Sequence, residues 1–316
     1  MDRIVFTDSK AQCDRPANVA TMSEEAVPTL VDPEWLEARL GEPDLRVLDC
    51  TVHLSFDPET GERRSRSGYE DWKRSHVPDS VFADLLEDFS VTDDPEYPYQ
   101  LPDAEAFADA MGRLGVGDDS RVVLYDAEGN GWAARFWWML RVFGFDRAGV
   151  LDGGWTRWNA EDRPVSTEPT NYEPATFTPE FRPELVADAD DVADSIGEDD
   201  HCLVNALRPS DFVGSEPVKY GRPGRIPDSV NVPAVGEEAI VDPETARFEP
   251  REELRRRFEA VGALDAEAVT TYCGGGIAAS SAALALSVIG VEDVAVYDGS
   301  LSEWGRDPER PMTVDE

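Results

Sequence analysis

Val269-Thr270-Thr271-Tyr272-Cys273-Gly274-Gly275-Gly276-Ile277-Ala278-Ala279 is the stretch on which the fold turns. A β-branched run ends at Tyr272, a cysteine and three glycines follow, and a helical pattern then sets Ile277, Ser281, Leu284 and Val288 on one face. The reading is strand, tight loop, helix. Glycines let the main chain curl so that successive N–H groups point inward, and the helix N-terminus adds partial positive charge. A thiol at this junction is expected to react as a thiolate, and the ring of amides suits an anion or an anionic leaving group. A free cysteine ending a strand is usually just a small core residue. Three glycines in a row cost stability unless the backbone must approach something, which favours the reactive reading.

Outward from this stretch the chain repeats itself. Cys202-Leu203-Val204-Asn205 matches Arg46-Val47-Leu48-Asp49, and Arg225-Ile226-Pro227-Asp228-Ser229-Val230 matches His76-Val77-Pro78-Asp79-Ser80-Val81. Val261-Gly262-Ala263-Leu264-Asp265 matches Leu114-Gly115-Val116-Gly117-Asp118, Tyr272-Cys273 matches Tyr125-Asp126, and Val296-Tyr297-Asp298-Gly299 matches Val150-Leu151-Asp152-Gly153. Cys273 lies 147 residues after Asp126 and Asp298 lies 146 after Asp152. Strands expected at 46–49, 80–83, 122–125 and 149–152 alternate with helices at 69–74, 104–114 and 132–143, and Asp32 followed by Pro33 opens another helix. Such alternation argues α/β domains with mainly parallel sheets. The expected division is a disordered or start-site tail over 1–25, with a second possible start at Met22, a first domain over 26–165, a Pro-, Thr- and Glu-rich linker over 166–182, and a second domain over 183–316. In the first copy the cysteine is replaced by Asp126, within Asp126-Ala127-Glu128-Gly129-Asn130-Gly131. Carboxylates there cannot act as a sulfur nucleophile and would repel an anion.

Composition narrows the classes further. The 316 residues hold 66 Asp+Glu against 29 Lys+Arg, a formal charge of −37, and the only lysines are Lys10, Lys73 and Lys219. An apolar content of 41% allows real cores. A folded, acidic, lysine-poor chain fits a high-salt cytoplasm, where self-repulsion is screened. No basic stripe suits a nucleic acid. No apolar run is long enough to span a membrane, and no signal-peptide core stands at the N-terminus. Cys13, Cys50, Cys202 and Cys273 fit neither a zinc pattern nor a disulfide framework, so no metal is expected and a reducing cytoplasm is the default.

Tyr272-Cys273-Gly274-Gly275-Gly276-Ile277-Ala278-Ala279, Arg222-Pro223-Gly224-Arg225-Ile226-Pro227 with Val230-Asn231-Val232-Pro233, and Leu151-Asp152-Gly153-Gly154 together resemble a two-domain rhodanese-type sulfurtransferase over about residues 27–312. The resemblance implies two tandem rhodanese-like domains, the first inactive and the second catalytic. It implies a small-molecule sulfur donor such as thiosulfate, a Cys273 persulfide stabilised by the loop amides, a thiophilic acceptor such as cyanide or a thiol, and no cofactor. An internal pseudo-dimer of this kind needs no oligomer to close its cleft. On this reading Gly274, Gly275, Gly276, Ile277 and Ala278 bind substrate beside the nucleophile Cys273. Three departures stand out. Thiosulfate-using members often have basic residues inside the loop, where this chain has glycine. Mercaptopyruvate-using members typically have Cys-Gly-Ser-Gly, where this chain has Gly275. Asp211 occupies a position commonly held by arginine, so Arg208 and Arg222 are the expected anion-binding cations, with Lys219 in reserve. His76 resembles a family histidine but is expected to be structural.

Other readings are weaker. Gly274-Gly275-Gly276-Ile277-Ala278-Ala279 fits a dinucleotide fingerprint with Asp298 about 20 residues on, but it comes too late in its domain. A cysteine phosphatase needs an arginine where Ala279 stands. 3-Mercaptopyruvate as donor, and a non-enzymatic interaction protein that kept the fold, are the remaining alternatives.

Overall fold

A computed structural model of the chain describes residues 26–57, 59, 62–215 and 219–315; the expected tail and second start lie outside them. The first repeat begins with β1 (Leu30–Val31) and α1 (Pro33–Glu37), where Asp32 caps the helix by accepting the Glu34 amide and Pro33 takes the first turn. It continues through β2 (Leu45–Asp49), β3 (Val52–Phe56), β4 (Arg63–Ser67), α2 (Tyr69–Arg74), β5 (Ser80–Phe82), α3 (Ala104–Arg113), β6 (Arg121–Tyr125), α4 (Gly131–Val142), β7 (Ala148–Leu151) and α5 (Gly154–Ala160). The second repeat, opened by a 3-10 turn at Pro183–Leu185, holds β8 (Val186–Ala187), α6 (Ala189–Ser195), β9 (His201–Asn205), α7 (Pro209–Val213), β10 (Val230–Asn231), α8 (Arg251–Ala260), β11 (Ala268–Tyr272), α9 (Ile277–Val288), β12 (Val294–Tyr297) and α10 (Ser300–Trp304).

Each repeat builds one parallel five-stranded sheet, in the orders β1-β7-β6-β2-β5 and β8-β12-β11-β9-β10. These are the same topology. The repeat persists atom by atom: the buried phenols of Tyr125 and Tyr272 accept the amides of Val77 (3.3 Å) and Ile226 (3.1 Å), and each hydroxyl also meets a serine, Ser80 or Ser229. Burying a phenol at this point requires such partners. Among the described residues the antiparallel hairpin β3–β4 belongs to the first repeat alone.

The two domains share one core. Helix α4, rich in tryptophan and phenylalanine, packs on α9, whose Ala278, Ala279, Ala282 and Ala283 allow close approach. One apolar face was expected for α9; the structure buries it from Ala278 to Ser287, because the other domain covers the side that a lone domain would leave to water. Two loops are exchanged in pseudo-symmetric fashion. The Asp152 carboxylate accepts the Phe248 amide (2.9 Å), and the Asp298 carboxylate accepts the Leu101 amide (2.9 Å) and the Tyr97 hydroxyl (3.2 Å). Asp298 also meets Arg135 of α4 at 2.6 Å, with side chains 3% and 0% exposed. This joins the domains through a fully buried ion pair, and Asp298 has no freedom to hold a ribose. The stretch 166–182 runs as a strap along the first domain, with the Ala175 amide on Gly112, Glu180 on Phe143 and Arg182 on Val142.

Candidate active site

Cys273 follows directly on β11, the middle strand of its sheet, where parallel neighbours on both sides fix the strand end. The residue is 2% exposed, and it lines a cleft of about 830 Å³ between the domains. Two loop amides, those of Cys273 and Gly276, donate to Ser300 Oγ (3.1 and 3.2 Å), and that hydroxyl donates to the Tyr297 carbonyl (2.7 Å). The Leu301 and Ser302 amides fasten the Cys273 and Gly274 carbonyls. The amides of Gly274, Gly275, Ile277 and Ala278 meet no acceptor among the described residues, and these four residues line the cleft beside the thiol. Gly276 was expected to bind substrate through the same ring, but its amide is engaged by Ser300 and it does not line the cleft. Its role is conformational: φ is +80°, and a Cβ would lie 2.8 Å from the Arg135 guanidinium behind the loop. At Gly274 a Cβ would fall 2.2 Å from the Tyr220 ring, so that phenol sits against the loop backbone.

Ser300 was missed by the sequence reading. Its φ is +48°, and Gly154 holds the matching place in the first repeat at +49°. A serine retained where the other repeat uses glycine was the signal.

The expected cations separate. Arg208, at the start of α7, lines the cleft, with its stem packed on Gly236. Arg222 does not reach it: its guanidinium donates to the carbonyls of Trp304, Gly305 and Asp307 and ties the end of α10. Carbonyls at a helix end attract a guanidinium, and loop spacing in a sequence cannot tell which way such a side chain turns. Lys219 lines the cleft but is paired with Asp211 at 2.8 Å. Arg63 on β4, a residue of the first domain, lines the same cleft, unforeseen. His76 is fully buried, hydrogen-bonded to the Trp72 and Glu168 carbonyls and stacked on Trp72, a structural residue as expected. Burial pushes the Cys50 thiol well above, and the Cys202 thiol above, the ordinary range, which leaves both poor nucleophiles. Arg208→Ala should raise the KM for thiosulfate at least about tenfold, the loss of one charge-assisted hydrogen bond, whereas Arg222→Ala should leave KM unchanged and lower the melting temperature; steady-state kinetics beside a melting curve separate the two.

The corresponding loop of the first domain curls its amides inward too, and the anion it holds is its own. The Asp126 carboxylate, 1% exposed, accepts the amides of Glu128 (2.7 Å), Asn130 (2.9 Å) and Ala133 (2.8 Å). Burial pushes this carboxyl above the ordinary aspartate range, against those three donors. The sequence suggested repulsion of an incoming anion; the geometry adds that the cradle is already filled. The rest of the architecture is shared, since the Trp155 amide fastens the Asp126 carbonyl as the Leu301 amide fastens that of Cys273.

The rhodanese-like domain family matches residues 32–161 and, a second time, 188–307. This chain belongs to that family. Among its relatives, a mitochondrial thiosulfate/3-mercaptopyruvate sulfurtransferase of Arabidopsis thaliana is 31% identical over 94% of this chain and 81% of the relative. The thiosulfate sulfurtransferase of Rattus norvegicus is 35% identical over 88% of this chain and 92% of its own. The crystal structure of a 3-mercaptopyruvate sulfotransferase from Escherichia coli superposes with a TM-score of 0.73 at 27% identity, covering 87% of this chain and 99% of that one. The rhodanese-like repeats thus account for both sheets and for the cleft between them.

Proposed function

We propose that Cys273 carries sulfur as a persulfide, taken from thiosulfate and passed to cyanide or a thiol. The chain is a rhodanese-type sulfurtransferase, a class supported by relatives that bear that activity in their names over nearly their whole length. The observation that carries the assignment to Cys273 is the thiol at the strand–loop–helix junction, facing the cleft amid four unengaged amides. The Cys273 thiolate attacks the outer sulfur of thiosulfate, the sulfur–sulfur bond breaks, and its electron pair leaves on sulfite. The terminal sulfur now bears the negative charge, which the amides of Gly274, Gly275, Ile277 and Ala278 are placed to stabilise. The acceptor then attacks that sulfur and releases the Cys273 thiolate. Arg208 holds the anionic donor. The first domain forms one wall of the cleft and takes no part as a nucleophile.

3-Mercaptopyruvate is the second donor to test, since sulfurtransferases of both kinds stand among the relatives. A steady-state comparison of the two donors decides. A higher kcat/KM with thiosulfate is the expected result, because Gly275 supplies no hydroxyl to relay a proton to or from a mercapto-acid. A higher value with 3-mercaptopyruvate would reverse the assignment. We place the protein in the cytoplasm on the strength of its free thiols Cys50, Cys202 and Cys273; no helix among the described residues is long and apolar enough to cross a membrane.

The charge of −37 supports adaptation to high salt. The Debye length falls from ~30 Å at 0.01 M to ~3 Å at 1 M, and folding compacts the carboxylates, so screening favours the folded state. Sodium chloride should raise the melting temperature, and in the dilute range sodium sulfate at matched ionic strength should do so equally. A greater effect of sulfate would point to salting-out, and a flat response to chloride would end the halophilic reading.

A further inference from the structure

We propose that the first domain supplies part of the donor site: Arg63, at the start of β4, grips the anionic sulfur donor in the cleft that Arg208 also lines. The proposal rests on Cys273 as the sulfur carrier and extends that site across the domain boundary.

Three observations converge on Arg63. The first is charge pairing. The other two arginines of β4 meet carboxylates, Arg64 those of Asp57 and Glu62, and Arg66 that of Asp71. No hydrogen bond or ion pair holds the guanidinium of Arg63 among the described residues, in a chain of charge −37. Arg208 is in the same position. Lys219 is neutralised by Asp211, and Arg222 is turned onto backbone carbonyls. The second is place. Arg63 and Arg208 line the same cleft as Cys273 and Gly274. Burial pushes the Tyr220 hydroxyl up while Arg63 and Arg208 both pull it down, which sets both guanidiniums within electrostatic reach of a ring that touches the Cys273 loop. The third is preorganisation. The Arg63 guanidinium lies over the Tyr99 ring, 4.9 Å from its centroid; that ring is fixed by a 2.5 Å hydrogen bond to Ser65 and an edge contact with Trp132. Stacking occupies one face of the guanidinium and leaves its in-plane N–H donors for an oxyanion. The hairpin β3–β4 that carries Arg63 has no counterpart among the described residues of the second repeat. A domain without a nucleophile thus contributes a binding group, and the complete donor site exists only when the two domains are docked.

The test compares alkylation of Cys273 in the full chain by anionic iodoacetate and neutral iodoacetamide, followed by peptide mass. Two unpaired guanidiniums should favour iodoacetate. Arg63→Met keeps the stem on Tyr99 and removes the charge. It should cut the iodoacetate rate about tenfold with the iodoacetamide rate within about twofold of the parent, and raise the KM for thiosulfate with little change in kcat. Arg63→Lys should restore much of the preference. A melting curve accompanies each variant, and Arg63→Gln replaces Arg63→Met if the latter does not fold. An unchanged rate ratio in the folded variant, with Arg208→Met lowering it, would overturn the proposal. A parent in which neither reagent labels Cys273 would instead overturn Cys273 as carrier, and this proposal with it.

Discussion

Cys273→Ser should lose sulfur transfer by at least about 10⁴-fold and melt where the parent melts. A hydroxyl is not ionised at neutral pH and does not form a persulfide. The fold has little stake in the sulfur atom, because the loop is held by main-chain groups: the Cys273 amide on Ser300, and its carbonyl under the Leu301 amide. Serine also fills nearly the same space at this buried position. Among the described residues no other thiol is placed to take over. Cys50 is fully buried, Cys202 sits within β9, and burial raises both. Thiocyanate release, measured beside a melting curve, checks the expectation. Substantial residual transfer in a well-folded variant would mean that sulfur travels by another residue.

The second large effect is on stability. Arg135→Met should destabilise the protein by about 3–5 kcal/mol, the range for breaking a buried ion pair by removing one partner. Asp298 would keep the Leu101 amide and the Tyr97 hydroxyl but lose its counter-charge in a site closed to water. The Tyr99 carbonyl would lose its donor and the Trp138 ring its stacked cation. Because Arg135 belongs to α4 and Asp298 follows β12, the loss falls on the contact between domains, and unfolding should broaden or split into two phases. Activity should fall as well, since the same guanidinium backs the loop at Gly276. Arg135→Met combined with Asp298→Asn should recover part of the stability, because no uncompensated charge remains. Denaturant titration followed by tryptophan fluorescence reads the loss, the broadening and the recovery, and thiocyanate release reads the activity. A single variant within about 1 kcal/mol of the parent would show that the pair contributes little net stability.

Much of this was legible in the sequence, and for physical reasons. The period-two and period-3.6 patterns are strongest where strands and helices pack on one core, so β6, β11, α3 and α4 lay within a residue or so of their expected places. The tandem repeat was visible because both copies face the same local demands, down to the paired phenols of Tyr125 and Tyr272. What stayed hidden depends on the second domain. The two-sided burial of α9 comes from α4, which no local window contains. The wall offered by Arg63 comes from a hairpin whose exposed Arg and Ser residues carry no apolar alternation. Arg208 and Arg222 looked equivalent as charges near a glycine-rich loop, and only the path of the backbone turns one into the cleft and the other onto α10. Asp126 was read as a non-nucleophile, but a sequence cannot show that its own loop amides close on it.

The most direct measurement is peptide mass spectrometry of the wild-type chain after thiosulfate, with no acceptor present. A gain of about 32 Da, one sulfur atom, on the peptide that holds Cys273, removed by cyanide, is the predicted result. Sulfur on Cys50 or Cys202 with Cys273 unmodified, or turnover with no sulfur on any cysteine, would contradict it.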